Sequence, residues 1–540
     1  MSFLFSRISS SVKRRLARNE NDHLIRALAR QVTRNAPPPG GQPVLMFNSS
    51  TRLSGLSLNA AYALLTHWAL RLHGARVVQV VCGRGLSPCV LGTDRYDPAA
   101  EPPCAHCVKQ SETLFSAAEV RWLAYRPDAV LRDSIANLDL AELMHFEHAG
   151  LPLGALALPS LRWILRRHHL QADAITLMLY RQYILSAWSA AQQFEALLTE
   201  LNPRAVVVFN GMFYPEATAR HIARQRGVRV ISHEVGMQPF SAFFTTGDAT
   251  AYPIDIPDSF ALTAKQDARL DSYLEQRSQG NFSMAGIRFW PEMQSLSPDF
   301  WQRASQYKQI VAVFTNVIFD TSQAHANIVF EHMFAWLDMV LEIIRAHPET
   351  MFVIRAHPDE ARPGKKSMES VADWVRSSGA ERLPNVLLVN ATEYVSSYEL
   401  IQRSKFVMVY NSTIGLEASL LGAAVLCAGR ARFTQLPTVF FPPTPHAYRH
   451  AAEDFLSAES IAIPPEFRSN ARRFLHYQLF RASLPFDDLL REDGFWQGYV
   501  ALKPVEWTAL LPKNSKTLRT IVRGILHDTP FLMDDNEDED

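Results

Sequence analysis

Short apolar runs alternate with amphipathic stretches along much of this chain. Residues 44–48 (VLMFN) form one run, residues 58–73 carry Leu64, Leu65, Trp68 and Leu72 at helical spacing, and residues 77–82 (VVQVVC) form the next run. This succession predicts a strand, a helix and a strand of the kind that builds a parallel sheet. A Cys-rich loop then interrupts over about 83–110, and helical segments continue to about residue 200, ending in a long amphipathic one over 175–201. The strand rhythm returns at 205–209 (AVVVF), passes through a helix opened by Pro215, which suits a first helical turn, and reaches 228–232 (VRVIS).

Residues 250–305 read as an irregular passage between two units. A second rhythm then starts at 309–315 (QIVAVFT), followed by a helix over about 328–346 and apolar runs at 351–355, 386–389, 406–410 and 424–427. These runs are apolar throughout, as strands are when helices cover both faces of a sheet. The pattern predicts an α/β protein with two Rossmann-type, doubly wound domains facing a cleft and extra helical segments. We expect a peripheral helical N-terminus and linker over 1–43, an N-terminal acceptor domain over 44–260 and a donor domain over 305–440. A helical extension over 441–533 and a disordered acidic tail over 534–540 complete the expectation.

A length of 540 residues fits two or three domains, and 47% hydrophobic with 20% charged residues is ordinary globular composition. Lys plus Arg and Asp plus Glu both total 54, so no global basic footprint points to nucleic acid. No run reaches membrane-span length, and the expectation is a cytoplasmic protein. The basic stretch at 11–18 (SVKRRLAR) reads first as a frayed amphipathic helix and also allows peripheral contact with an anionic inner leaflet.

Candidate chemistry gathers at strand ends, where ligands of doubly wound sheets sit. Residues 355–360 read RAHPDE and directly follow an apolar run. Arg355 offers a fork for phosphate, His357 and Pro358 form a rigid polar corner, and Glu360 closes the motif. A similar RAHP at 345–348 ends a helix instead. Residues 411–417 read NSTIGLE at another strand end. There Asn411, Ser412 and Thr413 stand where a helix begins, Gly415 permits close approach, and Glu417 is placed to accept ribose hydroxyls. Asn316 and Asp320 open the second unit, and Asn210-Gly211 forms a weaker counterpart in the first.

The segment around 305–430 resembles the capsule polysaccharide biosynthesis transferases, including bacterial Kdo transferases, and more distantly the bacterial sialyltransferases. The resemblance rests on His357-Pro358 and on Ser412-Thr413. It implies a GT-B fold and a nucleotide-sugar donor, CMP-linked by preference, with no catalytic metal. It further implies that the HP pair contacts the nucleotide and that the Ser/Thr pair holds its phosphate. An acidic residue followed by glycine in the N-terminal half would be the base. Residues 232–236 (SHEVG) match with Glu234 and Gly236, while His233 stands where a second acid is usual. Glu234 and His233 are therefore candidates for proton transfer, and Asp320, by its strand-end position, is a further one; the resemblance implies a glycan or lipid-linked acceptor in surface polysaccharide synthesis. A CDP-glycerol-type phosphotransferase and a UDP-sugar epimerase share the fold and remain alternatives, as does a non-catalytic glycan-binding or partner-binding scaffold.

Four cysteines cluster in sequence: Cys82, Cys89, Cys104 and Cys107. A structural zinc, free buried thiols and redox chemistry all fit this spacing.

Overall fold

The structure is a computed structural model, and it describes residues 2–48, 55–86, 88–278, 283–284, 287–288, 294–362, 364–495 and 498–534. The acidic tail expected over 534–540 lies outside the described residues except for Asp534.

Two parallel sheets organise the chain. The first contains β1 (Gly40–Phe47), β2 (Ala75–Cys82), β3 (Glu119–Leu123), β4 (Ala205–Phe209), β5 (Arg229–Val235) and β6 (Ser241–Thr245). The second contains β7 (Gln309–Phe314), β8 (Thr350–Arg355), β9 (Val386–Val389), β10 (Phe406–Val409) and β11 (Val425–Cys427). A last strand, β12 (Leu484–Pro485), returns to the first sheet.

The spatial order is β12-β6-β5-β4-β1-β2-β3 in the first sheet and β9-β8-β7-β10-β11 in the second. Strands β1 to β5 are mutually parallel, β6 and β12 pair antiparallel at one edge, and the second sheet is parallel throughout. Each half thus runs outward in one direction from its first strand and then reverses, which opens a crevice beyond the strands' carboxyl ends. The crevice lies at β1/β4 in one half and at β7/β10 in the other.

Several sequence expectations need correction. The stretch 36–43 is not all linker, because Gly40–Phe47 is one strand that already pairs with β2 at Gly40. Residues 119–123 (EVRWL), expected within helical chain, form β3 at the sheet edge. The passage over 250–305 contains a 15-residue helix, Ala264–Ser278.

The chain ends are not peripheral either. Ile25, Leu28, Ala29 and Val32 of the helix Ser2–Asn35 join the same buried cluster as Leu518, Ile521, Val522 and Ile525 of the helix Lys516–His527. Burying each of the Ile, Leu and Val side chains in this set contributes about 1.5–3 kcal/mol. The region 441–533 is therefore split in two. Its helix Pro465–His476 packs with the second half through Ala471, Phe474 and Leu475, and the remainder completes the first half. No helix among the described residues is long and apolar enough to cross a membrane.

Candidate active site

Glu234 sits near the end of β5, and three donors hold its carboxylate. Asn210 Nδ2 donates to Oε2 at 2.8 Å, the Val235 amide donates to Oε1 at 2.9 Å, and Asn59 Nδ2 reaches Oε1 at 3.4 Å. Asn210 closes β4 in a left-handed turn (φ 57°), followed by Gly211 (φ 79°). Desolvation by burial raises the Glu234 pKa, and nearby Asp320 pushes the same way, against the three hydrogen bonds. A carboxylate held ionised yet driven toward the proton is suited to a general base.

Its neighbour His233 points to the other face of the strand, as alternation requires. The imidazole is 1% exposed and lies between Phe209 and Phe244, with ring centroids 5.9 and 5.1 Å away. Burial pulls its pKa down to about 3. His233 is a core residue and does not share the proton-transfer role expected for it.

Across the cleft, His357 follows β8. Its Nδ1 accepts from the Asp359 amide at 3.2 Å, capping the short turn Pro358–Glu360. In the neutral ring this leaves the proton on Nε2, which becomes the donor. Burial lowers the His357 pKa and so favours the neutral ring. Asp320, beyond β7, adds a negative charge that raises the pKa values of Glu234, His357 and Arg166 against their other causes or alongside them.

The two loops at the second switch point are tied together. Asn316 Nδ2 donates to Asn411 Oδ1 at 2.7 Å, and Gln323 Nε2 reaches the same oxygen at 3.4 Å. Asn411 therefore holds the loops in register. Ser412 and Thr413 follow at the start of the helix Ile414–Leu420, where Thr413 makes no side-chain cap bond.

Four residues expected at the donor have structural work instead. Arg355 is 3% exposed and donates through Nη1 to the carbonyls of Asn390 and Glu393 at 3.1 and 2.7 Å, fixing the loop after β9. Glu360 accepts from the Val371 amide at 3.2 Å, and burial raises its pKa to about 8. Gly415 is required by packing, because a Cβ there would meet Phe433 Cζ at 2.9 Å and Val409 Cγ2 at 3.0 Å. Glu417 pairs with Arg277 at 2.5 Å and accepts from the Tyr398 hydroxyl. Sequence reasoning missed Asn59, Arg277 and Tyr398, since nothing local links them to these motifs.

The sulfurs of Cys82, Cys89, Cys104 and Cys107 are not drawn together at metal-ligand spacing in this structure. They line one wall of a cavity of about 430 Å³. Among the described residues the group of potential ligands lying within 4.8 Å of one another is His168, His169 and His332, and no three of these sulfurs meet that limit. Zinc at about 2.3 Å from each sulfur needs closer sulfurs than that. Burial instead raises Cys82 to about 11 and Cys89 to about 12, as in neutral thiols.

The histidine trio joins the halves. Glu369 accepts from the His168 and His169 amides at 2.9 and 3.1 Å and from His169 Nδ1. His332 Nδ1 accepts from the Ala335 amide at 3.1 Å. With that lone pair used, the His332 proton sits on Nε2 and donates to His169 Nε2, 3.2 Å away.

Two doubly wound α/β halves with strand ends facing across a cleft define a GT-B-like architecture. Within it, residues 292–437 match the capsule polysaccharide biosynthesis protein family. The chain is also similar to Protein FixF of Sinorhizobium fredii, 33% identical over 97 residues, which covers 18% of this chain and 20% of that protein. Among solved structures it is similar to the Thermosulfurimonas dismutans KpsC beta Kdo 2,4 transferase (TM-score 0.35, 11% identity, 56% of this chain and 84% of that one). It is also similar to the Neisseria meningitidis UDP-GlcNAc 2-epimerase bound to UDP-GlcNAc (TM-score 0.23, 10% identity, 80% of this chain and 96% of that one).

Proposed function

We propose that this protein is a glycosyltransferase of surface polysaccharide synthesis, moving a sugar from a nucleotide-activated donor, CMP-linked by preference, to a glycan or lipid-linked acceptor. The observation that carries the reading is that Glu234, held by Asn210 and the Val235 amide, ends a strand of the first half, while His357, its Nδ1 engaged by the Asp359 amide, follows a strand of the second. A transferase needs a base on the acceptor side and donors on the leaving-group side, held across one cleft.

In this reading an acceptor hydroxyl gives its proton to Glu234 while its oxygen bonds to the anomeric carbon. The bond from that carbon to the phosphate oxygen breaks, and the nucleotide leaves with the electron pair. His357 Nε2–H, with the hydroxyls of Ser412 and Thr413, receives the charge that develops on the phosphate. Asn411 sets the spacing of those loops, and Pro358 fixes the His357 corner. The match of residues 292–437 to the capsule family supports a role in polysaccharide assembly.

The test is a thermal-shift panel with CMP, CDP, UDP and GDP on wild type and His357→Ala. A ligand at 100 times its Kd adds about 2.7 kcal/mol. Selective stabilisation by CMP that the variant loses is the expected result. A preference for CDP or UDP redirects the reading to a phosphotransferase or an epimerase, and no response to any nucleotide overturns it.

A further inference from the structure

Arg166 ends the helix Leu153–Leu165 in the left-handed region (φ 58°, ψ 36°) and is only 2% exposed. Its guanidinium carbon lies 4.1 Å from the centre of the Trp163 ring and 4.8 Å from that of Phe319. One nitrogen, Nη2, donates to the Gly364 carbonyl at 3.2 Å, while Nε and Nη1 are buried without a hydrogen-bond partner. A buried cation with idle donors is costly unless something negative meets it. Burial lowers its pKa to about 10, and the neighbouring Arg95 pushes it the same way.

Arg166 lines the cavity of about 430 Å³ that the cysteines also face. Arg95, Arg84 and Lys365 line it too, and no described lining residue is acidic. Arg95 Nη2 donates to the same Gly364 carbonyl at 3.0 Å, so two guanidinium groups converge on one point. Arg84 also stands in the left-handed region, at φ 66°. Strained non-glycine backbone of this kind collects at functional sites. The second half supplies Gly364 and Lys365, and the Met368 amide donates to the Arg166 carbonyl at 2.9 Å, so the cavity spans both halves. Asp320, which is not among the lining residues, acts on Arg166 only as a charge at longer range. Leu86, Val108 and Trp163 make the remaining wall apolar.

We propose that this cavity is an anion-binding subsite that holds a carboxylate or phosphate group of the acceptor, gripped by the guanidinium forks of Arg166 and Arg95. The proposal rests on the transferase reading. The apolar wall takes the ring or aliphatic part next to the anion, and planar forks suit both oxyanions.

Calorimetric titration of the full chain tests it with three probes: a uronic-acid disaccharide, its neutral carboxyl-reduced counterpart, and glycerol phosphate. The uronate or the phosphate should bind at least tenfold more tightly than the neutral sugar, and the tighter of the two names the source of the anion. Arg95→Gln and Arg166→Lys should each weaken the anion at least tenfold and leave neutral-sugar binding and the nucleotide-induced melting shift unchanged. Should Arg166→Lys fail to fold, Arg95→Gln, on the half-buried rim, carries the test alone. Equal binding of charged and neutral sugars, no binding of either anion, or loss of the nucleotide shift together with the anion would overturn it. Absence of any nucleotide shift with an Arg95-dependent anion response would sink the transferase reading and leave the anion subsite standing.

Discussion

Asn210 and Glu234 meet across the ends of two adjacent strands, amide to carboxylate, at 2.8 Å. Strand pairing sets this contact, because β4 and β5 run parallel with Phe209 opposite His233. The bond favours the ionised carboxylate, against the desolvation that raises its pKa. Removing it in Asn210→Ala should raise that pKa further. The acid limb of the pH profile of kcat/KM should then move to higher pH, because less of the base is ionised at a given pH. An unmoved limb would mean that Glu234 is not the group whose ionisation the rate follows.

Glu234→Gln keeps the shape and removes the basicity. The turnover rate should fall about 10²–10⁴-fold, with nucleotide-induced stabilisation retained. His233→Phe, by contrast, fills the same aromatic slot and should leave turnover within about threefold of wild type, which single-turnover kinetics can check. A large loss in the His233 variant at unchanged melting temperature would restore it as a candidate base.

Glu360 governs a pH dependence of stability. Its carboxyl has a folded pKa near 8 against 4.5 unperturbed, because it is buried. The folded state therefore holds this proton more tightly than the unfolded chain. The stabilisation is complete below about pH 4.5 and is lost as pH rises toward 8. Glu360→Gln keeps an acceptor for the Val371 amide without the charge. Its melting temperature should match wild type at pH 5 and exceed it at pH 8; parallel curves across that range would refute the assignment.

The ion pair of Arg277 with Glu417 is largely shielded, with side chains 13% and 11% exposed. Arg277→Ala leaves the Glu417 carboxylate without its cation, and a broken buried pair costs about 3–5 kcal/mol. Chemical denaturation should show a loss of that order. A loss under about 1 kcal/mol would mean that water reaches the pair and screens it.

At position 415 the demand is steric. Gly415→Ala drives a methyl against Phe433 and Val409. Overpacking of this kind costs about 1–3 kcal/mol, partly offset by alanine's better helix propensity, about 1 kcal/mol. The net change should be a modest destabilisation seen by calorimetry, with nucleotide affinity unchanged. A variant that melts normally but loses nucleotide affinity would return Gly415 to the ligand.

Local patterning determined the central parallel strands of both halves, because a strand buried on two faces is apolar along its whole length and announces itself. It also placed His357, Asn411 and Glu234 at strand ends, where a doubly wound sheet puts its ligands. The edge strand Glu119–Leu123 escaped, because an edge is half solvated and its residues alternate like those of many other segments. Only the tertiary structure decided which face each side chain takes. Adjacent in sequence, His233 lies in the aromatic core and Glu234 among polar donors. Packing of distant segments likewise assigned Arg355, Glu360 and Glu417 to structural partners and left Arg166 with buried, idle donors. Burial and long-range pairing are properties of the folded chain, and no short window of sequence contains them.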